Sequence, residues 1–517
     1  MNKVSLRAGV RKLAFDRCIW LESNFECQVF RCNLTHSGRR RLLSGTMIDF
    51  RRLHNAITLS LPASDTKMND EETIIGRRRP RLRLEHLRVA SFIVVVALQT
   101  AVCATGPNLS TQTALIPTTS PGTSAAPVPG SPALKHIDQA ALQKMVDTTA
   151  RELLIPGAVV LLRTPQGEFA VNYGTTVLGA KIPPRADTHF RIASNTKTMT
   201  AAVIMQLAQE NKLSVADPVS KYVPGVPNGK NITIAELLEM RSGLYNYTYA
   251  PEIAASVDHD PTKVWTPAEV LAIAFAHKPN FPPGTAYEYN NTNYALLGLV
   301  AEKVDGKPLA QLMRSRLFGP LHLRDTDLPA PAVNTIPDPY SHGYLYGSSS
   351  VAFVGEPPYS PEVKAAARAG TLRPHDYTDV NHSVAMAAGG VISTANDLAI
   401  WIQALVAGRV LNAAYQRIWL DSLRPEDPTK PKGQKYGYGI SEMSWGPNAI
   451  YFHGGETAGY NSFMGYDPSN QVTLVVWTNL TVSLDEMPTA NTIMLKVLDQ
   501  IYVVSPLTPP PSPASTH

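Results

Sequence analysis

The stretch Phe190-Arg191-Ile192-Ala193-Ser194-Asn195-Thr196-Lys197 sets a hydroxyl and an amine three residues apart and runs straight into the apolar segment Met199 to Leu207. Read as a helix start, it puts Ser194 at the mouth of the helix and Lys197 one turn on, on the same face. A serine is a poor nucleophile until a neighbouring base takes its proton. A position at a helix N-terminus also favours the negative charge that then develops. The chemistry open to such a pair is covalent acyl transfer. Alone, S-x-x-K recurs by chance about once or twice in a chain this long, mostly at solvated helix ends, so the pair needs partners elsewhere.

Three stretches supply them. Pro283-Gly284-Thr285-Ala286-Tyr287-Glu288-Tyr289-Asn290-Asn291-Thr292-Asn293-Tyr294 leads into Leu297-Gly298, Ala388-Gly389-Gly390-Val391-Ile392-Ser393-Thr394 follows, and His453-Gly454-Gly455-Glu456-Thr457-Ala458-Gly459-Tyr460 lies in a β-rich region. Leu237-Leu238 with Ser242-Gly243-Leu244 is a softer match. In this order and spacing, together with Ser194 and Lys197, the set resembles the serine β-lactamase and D,D-peptidase superfamily. The branch is that of class C β-lactamases, D-alanyl-D-alanine carboxypeptidases and related esterases, and the likeness covers about residues 137 to 500.

The resemblance implies Ser194 as nucleophile, Lys197 as its base and electrostatic partner, and Tyr289 as a second acid/base group. It implies Asn291 as the amide that holds substrate and lysine, and His453 and Gly455 as the ends of a K-T-G-like element. The oxyanion hole would be the backbone N–H groups of Ser194 and Glu456. Whether Lys197 or Tyr289 takes the first proton stays open. No metal and no organic cofactor is implied, and the partner is a small peptide or other acyl substrate.

Elementary chemistry agrees with these roles. Two fixed donors at a developing oxyanion typically matter by a few kcal/mol of barrier. A phenol of ordinary pKa near 10 serves as a base only where cations lower it, and Lys197 is the charge available. Glycines at 454 and 455 let a strand edge approach substrate without a side chain in the way. One departure from the family pattern stands out: the K-T-G element is His-Gly-Gly, without a permanent cation or a central hydroxyl. A histidine is partly charged near neutrality, so binding of a substrate carboxylate here should be weaker or pH-dependent. No Arg between Gly437 and Tyr460 replaces the loss.

The function expected is therefore that of an exported serine hydrolase acting through a Ser194 acyl-enzyme, of D-alanyl-D-alanine carboxypeptidase type on cell-wall peptides. An esterase, amidase or β-lactamase on the same site is the alternative, and a non-catalytic muropeptide-binding protein is a third reading. Several neighbours receive bland assignments. Glu288 and Asn290 read as loop surface, and Asp258-His259-Asp260 as a solvated loop rather than a metal site. Tyr245, Tyr247, Trp265, Tyr436, Tyr438 and Trp445 read equally as cleft lining or as packing.

The elements that must position these residues lie in the C-terminal three quarters of the 517-residue chain. The net charge of +5 is uneven: residues 1–104 hold 18 of the 47 Lys+Arg and 9 of the 42 Asp+Glu, leaving 29 against 33 beyond. That acid-leaning body excludes nucleic acid as a partner. Cys18, Cys27, Cys32 and Cys103 are the four cysteines, so the body has no thiol nucleophile and can fold outside the cytoplasm without wrong disulfides. Residues 1–75 carry no motif. Residues 76–104, with Arg77-Arg78-Arg79 ahead of the apolar run Val89 to Val102 and Val102-Cys103-Ala104 after it, read as an export signal cut after Ala104. Envelope association through that signal or a lipid on Cys103 is the minor variant. Residues 105–133 are a Pro/Ser/Thr-rich linker, 134–503 the hydrolase domain and 504–517 a tail.

Within the body the periodicity predicts a helix over Ile137 to Leu154 and a hairpin of Gly157 to Arg163 with Glu168 to Tyr173. After the Ser194 helix come helices at Ile234 to Met240, Pro267 to Ala276, Tyr294 to Lys303, Leu309 to Leu317 and Ala395 to Val406. Strands return at Tyr451 to His453, Ser462 to Tyr466 and Val472 to Asn479, and a helix over Thr489 to Val503 closes the body. Strands at both ends with helices between predict an α+β, β-lactamase/transpeptidase-like fold. Its antiparallel sheet is flanked by helices and built from both ends of the body, with a mainly helical lobe and a cleft between.

Overall fold

The computed structural model describes residues 134–355 and 358–503. The N-terminal extension, export signal, linker and tail inferred from sequence lie outside the described residues.

The first element is helix α1, Gln139–Glu152, started by Asp138, whose carboxylate accepts the N–H of Ala140 and Ala141. Strands β1 (Gly157–Thr164) and β2 (Gly167–Gly174) follow as the predicted hairpin, with Thr164 registered opposite Gly167. Helix α2 (Thr196–Gln209) carries Lys197, and α3 (Asn291–Asp305) and α4 (Ala395–Val406) come later. The other strands of the large sheet are β3 (Arg424–Pro425), β4 (Lys435–Tyr436), β5 (Ser441–Trp445), β6 (Asn448–Thr457), β7 (Tyr460–Asp467) and β8 (Val472–Thr478), before α5 (Thr489–Ile501).

The eight strands form one sheet in the order β2-β1-β8-β7-β6-β5-β4-β3, each pair antiparallel. The first hairpin thus joins the last strands by Ala158 opposite Thr478, which brings both ends of the described body into one sheet, as the sequence predicts. Strand β1 reads as a near-continuous apolar run because both its faces are covered. Val159 and Leu161 face one core with Val475 and Trp477, while Ala158, Val160 and Leu162 face the other with Leu474 and Val476. Helices α1 and α5 cover that second face, and α4 the first.

The helical lobe holds α3 and shorter helices, two of which, Ile234–Leu238 and Pro267–Ala276, begin with capping boxes at Thr233/Glu236 and Thr266/Glu269. The structure differs from expectation in several places, among them the helix expected over Tyr294 to Lys303, which runs from Asn291 to Asp305. Strand β6 extends from Asn448 to Thr457 rather than covering Tyr451 to His453, because its glycines pair with β7 despite their low strand propensity. Strand β5 was not signalled: Ser441-Glu442-Met443-Ser444-Trp445 alternates buried and less buried positions in a short polar-looking run. The helix expected over Leu309 to Leu317 is α-helical only from Leu309 to Met313 and widens into a π turn over Arg314–Phe318.

Candidate active site

Ser194 sits in a 3-10 turn, Ala193–Asn195, that feeds α2. Ala193 holds φ at +47°, a left-handed conformation that costs a non-glycine residue roughly 1–2 kcal/mol. The surroundings hold the turn in place. Phe190, just upstream, stacks on Trp477 of β8 with ring centroids 4.9 Å apart, a contact worth about 0.5–1.5 kcal/mol beyond burial. The buried amide of Asn195 donates to Ile192 O at 3.0 Å and to Ser462 Oγ of β7 at 2.8 Å. The hydroxyl of Ser194 is thereby presented, partly exposed, on a turn fixed to the sheet.

Lys197 is fully buried. Its Nζ lies 3.0 Å from Ser194 Oγ, 2.7 Å from Asn291 Oδ1 and 2.8 Å from Ala388 O. Three oxygens saturate the amine in one position, and burial holds its pKa well below the ordinary lysine value. The Ala388-Gly389-Gly390 stretch forms the back wall of this site. Thr200 Oγ1 donates to Ala387 O at 2.7 Å, and Val391 N donates to Thr196 Oγ1 at 3.1 Å, so α2 and the short helix Met386–Gly389 grip each other on both sides of Lys197.

Asn291 opens α3. Its N–H donates to Asn246 Oδ1 at 3.1 Å and its Nδ2 to Thr248 Oγ1 at 3.1 Å, which fixes the amide with its oxygen toward Lys197. Asn290 is not the loop surface the sequence suggested. It is buried, caps α3 by accepting Thr292 N at 2.8 Å and bonds Leu244 O. Glu288 is partly buried and accepts both Asn280 Nδ2 contacts at 2.8 Å.

Tyr289 stands on the other side of the hydroxyl. Its ring centroid is 4.8 Å from Lys197 Nζ, and its phenol hydrogen-bonds Ser194. The sequence suggested that Lys197 would lower this phenol's pKa. Instead burial raises it, with the Ser194 hydrogen bond a smaller opposing influence. Burial also depresses the pKa of Lys197 itself, which weakens the cationic influence it could exert on the phenol.

His453 and Gly455 share one face of β6. The His453 ring packs beside Tyr289 with centroids 6.3 Å apart, its Nε2 lies 3.1 Å from Tyr436 Oη, and its Nδ1 lies 2.6 Å from Gly454 O. Burial first, and the neighbouring Lys197 second, push its pKa down to about 3. His453 is therefore neutral around pH 7, not the partly charged group expected from its type. Gly455 also differs from expectation. A Cβ there would lie 2.1 Å from Ile192 O, 2.6 Å from Ser462 Oγ and 2.7 Å from Asn195 Nδ2. Its bareness makes room for the Ser194 turn rather than for substrate, whereas a Cβ on Gly454 would meet only Ser462 O at 3.6 Å.

Strand β5 pairs with β6 only as far as Ser441 opposite Phe452. Beyond that point the β6 edge from His453 to Thr457 has no strand partner on that side among the described residues. Glu456 is exposed on this segment and accepts Asn461 Nδ2 at 2.9 Å. Desolvation by the surrounding protein pushes its pKa up to about 8, against a smaller lowering by the Asn461 hydrogen bond, although the side chain itself reaches solvent.

All seven residues singled out by sequence thus belong to one neighbourhood around Ser194 Oγ. Sequence reasoning did not single out Tyr436, Asn195, Thr248 and Ser462, which buttress the site. None has a motif of its own, and only Tyr436 carried a signal, as one of several aromatics. The Asp258 carboxylate accepts Ser349 N at 2.9 Å and Tyr377 Oη at 2.9 Å, and the described residues contain no cluster of three or more His, Cys, Asp or Glu able to hold a metal ion. A separate cavity of about 910 Å³ is lined among others by Trp265, Leu328, Met386 and Ile392 and does not include Ser194, Lys197 or Tyr289.

A family profile described as Beta-lactamase matches residues 142–499. Among solved structures, a D-stereospecific amidohydrolase from Streptomyces sp. is 30% identical with a TM-score of 0.57, covering 66% of this chain and 95% of that one. A D-amino acid amidase from Ochrobactrum anthropi SV3, complexed with L-phenylalanine amide, is 25% identical with a TM-score of 0.60 over 70% of this chain and 98% of that one. Protein flp from Staphylococcus aureus (strain N315) is 32% identical over 200 residues, 37% of this chain and 39% of that protein, so the chain spans about two fifths of that curated relative.

Proposed function

The chain belongs to the β-lactamase family, a hydrolase superfamily of serine-enzyme type, and on that premise we propose that it is an exported amidohydrolase acting on small amides and peptides through an acyl-enzyme on Ser194. The observation that carries this reading is the enclosed Lys197 amine 3.0 Å from Ser194 Oγ, with the Tyr289 phenol on the opposite side.

Burial favours the unprotonated form of Lys197, whose lone pair can take the hydroxyl proton. Ser194 Oγ attacks the substrate carbonyl as its proton passes to Lys197, and the C–O bond forms while the carbonyl π pair moves to oxygen. The N–H groups of Ser194 and Glu456 are the proposed donors to that oxyanion. Tyr289 stays a protonated phenol, able to pass a proton toward the departing amine and to be refilled from Lys197. The C–N bond then breaks and leaves the acyl group on Ser194. A water molecule repeats the attack, releases the acid and returns the proton to the serine.

Two substrate readings share this chemistry. The sequence favoured a D-alanyl-D-alanine carboxypeptidase, which must bind a terminal carboxylate. A neutral His453 gives that carboxylate no cation, so substrates with an uncharged amide or ester at the scissile end rank first. The similar structures named as amidohydrolase and amidase support the same order. Export rests on the basic and apolar segment at 76–104. The test is intact-mass detection of an adduct with a fluorophosphonate in the wild type and in Ser194→Ala, alongside ammonia release from D-amino-acid amides and D-alanine release from a stem-peptide mimic. An adduct of equal yield in the variant would remove the proposal. Faster D-alanine release than ammonia release would restore the carboxypeptidase.

A further inference from the structure

Of the ionisable groups that flank the Ser194 hydroxyl and its proposed oxyanion donors, Lys197, His453 and the Tyr289 phenol are engaged within the site. Lys197 is enclosed by Ser194 Oγ, Asn291 Oδ1 and Ala388 O, and His453 is buried between Tyr289, Tyr436 and its own strand. The nearby guanidinium of Arg241 is committed elsewhere. It stacks 5.7 Å from the Tyr287 ring centroid, donates to Pro425 O at 2.9 Å and is balanced by Glu239 and Glu426. What remains is Glu456.

Its side chain is the one exposed member of the segment from His453 to Thr457. Among the described residues no Lys, Arg or His pairs with it, and Asn461 Nδ2 is its one hydrogen-bond donor, at 2.9 Å to Oε2. That bond orients the carboxylate and leaves its second oxygen for another partner. The carboxylate's field reaches the phenols of Tyr289 and Tyr359, and the Tyr359 hydroxyl is buried without a hydrogen-bond partner. The mouth of the site thus carries an oriented carboxyl group with no cationic partner among the described residues, ready to ionise against an incoming cation, where the family's K-T-G element would carry a cation.

Resting on the acyl-enzyme reading above, we infer that the Glu456 carboxylate is a binding subsite for a primary ammonium group on the acyl part of the substrate, so that the enzyme selects unblocked aminoacyl amides. Position agrees with charge. The Glu456 α-carbon is one bond from the nitrogen proposed to hold the carbonyl oxygen, and the α-ammonium of an aminoacyl group is two bonds from the carbonyl carbon. Anion and cation therefore fall on adjacent positions, and a hydrogen bond between charged groups forms as the amine loses water. An N-acylated substrate offers no cation and leaves the carboxylate unpaired.

The experiment measures KM and kcat of the full chain for D-phenylalanine amide and N-acetyl-D-phenylalanine amide, in the wild type and in Glu456→Gln. The glutamine keeps an oxygen for Asn461 and removes the charge. The wild type is expected to favour the free amine, and the ratio of the two kcat/KM values is expected to fall about tenfold in the variant, through KM. Glu456→Lys should invert the preference toward N-succinyl-D-phenylalanine amide. An unchanged ratio in Glu456→Gln while fluorophosphonate still labels Ser194 overturns the ammonium subsite alone. Absence of labelling in the wild type overturns the acyl-enzyme reading and this inference with it.

Discussion

Replacing Gly455 by alanine tests how the site is held together more sharply than removing a reacting group. The new methyl would stand 2.1 Å from Ile192 O, and reaching even the 3.4 Å edge of ordinary contact requires a displacement of 1.3 Å. The obstructing atom is backbone on the turn that presents Ser194, so no side-chain rotation relieves it. Either β6 backs away, carrying the Glu456 N–H with it, or the turn does, carrying Ser194. A misplacement of this size costs roughly 100-fold in rate, equal to about 2.7 kcal/mol of barrier, and overpacking costs about 1–3 kcal/mol of stability. Gly454→Ala is the matched control, since its methyl points to the other face and meets Ser462 O at a comfortable 3.6 Å. The assay is the acylation rate with a fluorophosphonate, followed by intact mass, beside a urea denaturation of each variant. Wild-type acylation and stability in Gly455→Ala, or equal losses in the two variants, would refute the argument that this glycine exists to admit the nucleophile turn.

Further outcomes follow from the same geometry. Because burial lowers the Lys197 pKa well below 10.5, the base form is populated at lower pH than for an ordinary lysine. Acylation should therefore be flat in the alkaline range and fall only on the acid side; a rise that continues toward pH 10 in a stopped-flow pH profile would contradict it. His453 is held near pKa 3 when folded against 6.5 ordinarily, so between these values the unfolded chain binds more protons. Stability should fall as pH drops through that window, by up to about 1.4 kcal/mol per pH unit, and His453→Asn should flatten the slope of urea midpoints between pH 7 and 4.5. Parallel slopes would show that this imidazole protonates in the folded state. Tyr289→Phe keeps the ring against Lys197 and loses the hydroxyl bonded to Ser194. Its acylation rate should drop about 100-fold with KM little changed, and a rate within threefold of wild type would remove Tyr289 from the proton path.

The cost of the site is visible in its supports. Lys197 is a buried amine, Ala193 holds a left-handed φ and Gly455 gives up a side chain in the sheet. Each is unfavourable locally and persists because surrounding contacts over-determine it, namely the Asn195–Ser462 bond, the Phe190–Trp477 stack and the grip of the Met386–Gly389 turn on α2.

The sequence by itself determined the hairpin at 157–174, the helix behind Ser194 and the closing strand and helix. In these segments local periodicity and turn chemistry agree with the final fold. It also determined the identities of the reacting groups, since S-x-x-K, Y-x-N and the His-Gly-Gly strand each carry their residues within a few positions. Tertiary structure alone decided what those groups are electrically. An imidazole and an amine have ordinary pKa values until the chain encloses them, so the neutrality of His453 and the depressed basicity of Lys197 could not be read from residue type. The purpose of Gly455 was hidden for the same reason: its obstructing neighbours, Ile192 and Asn195, lie some 260 residues away in the chain, and only folding sets them against it.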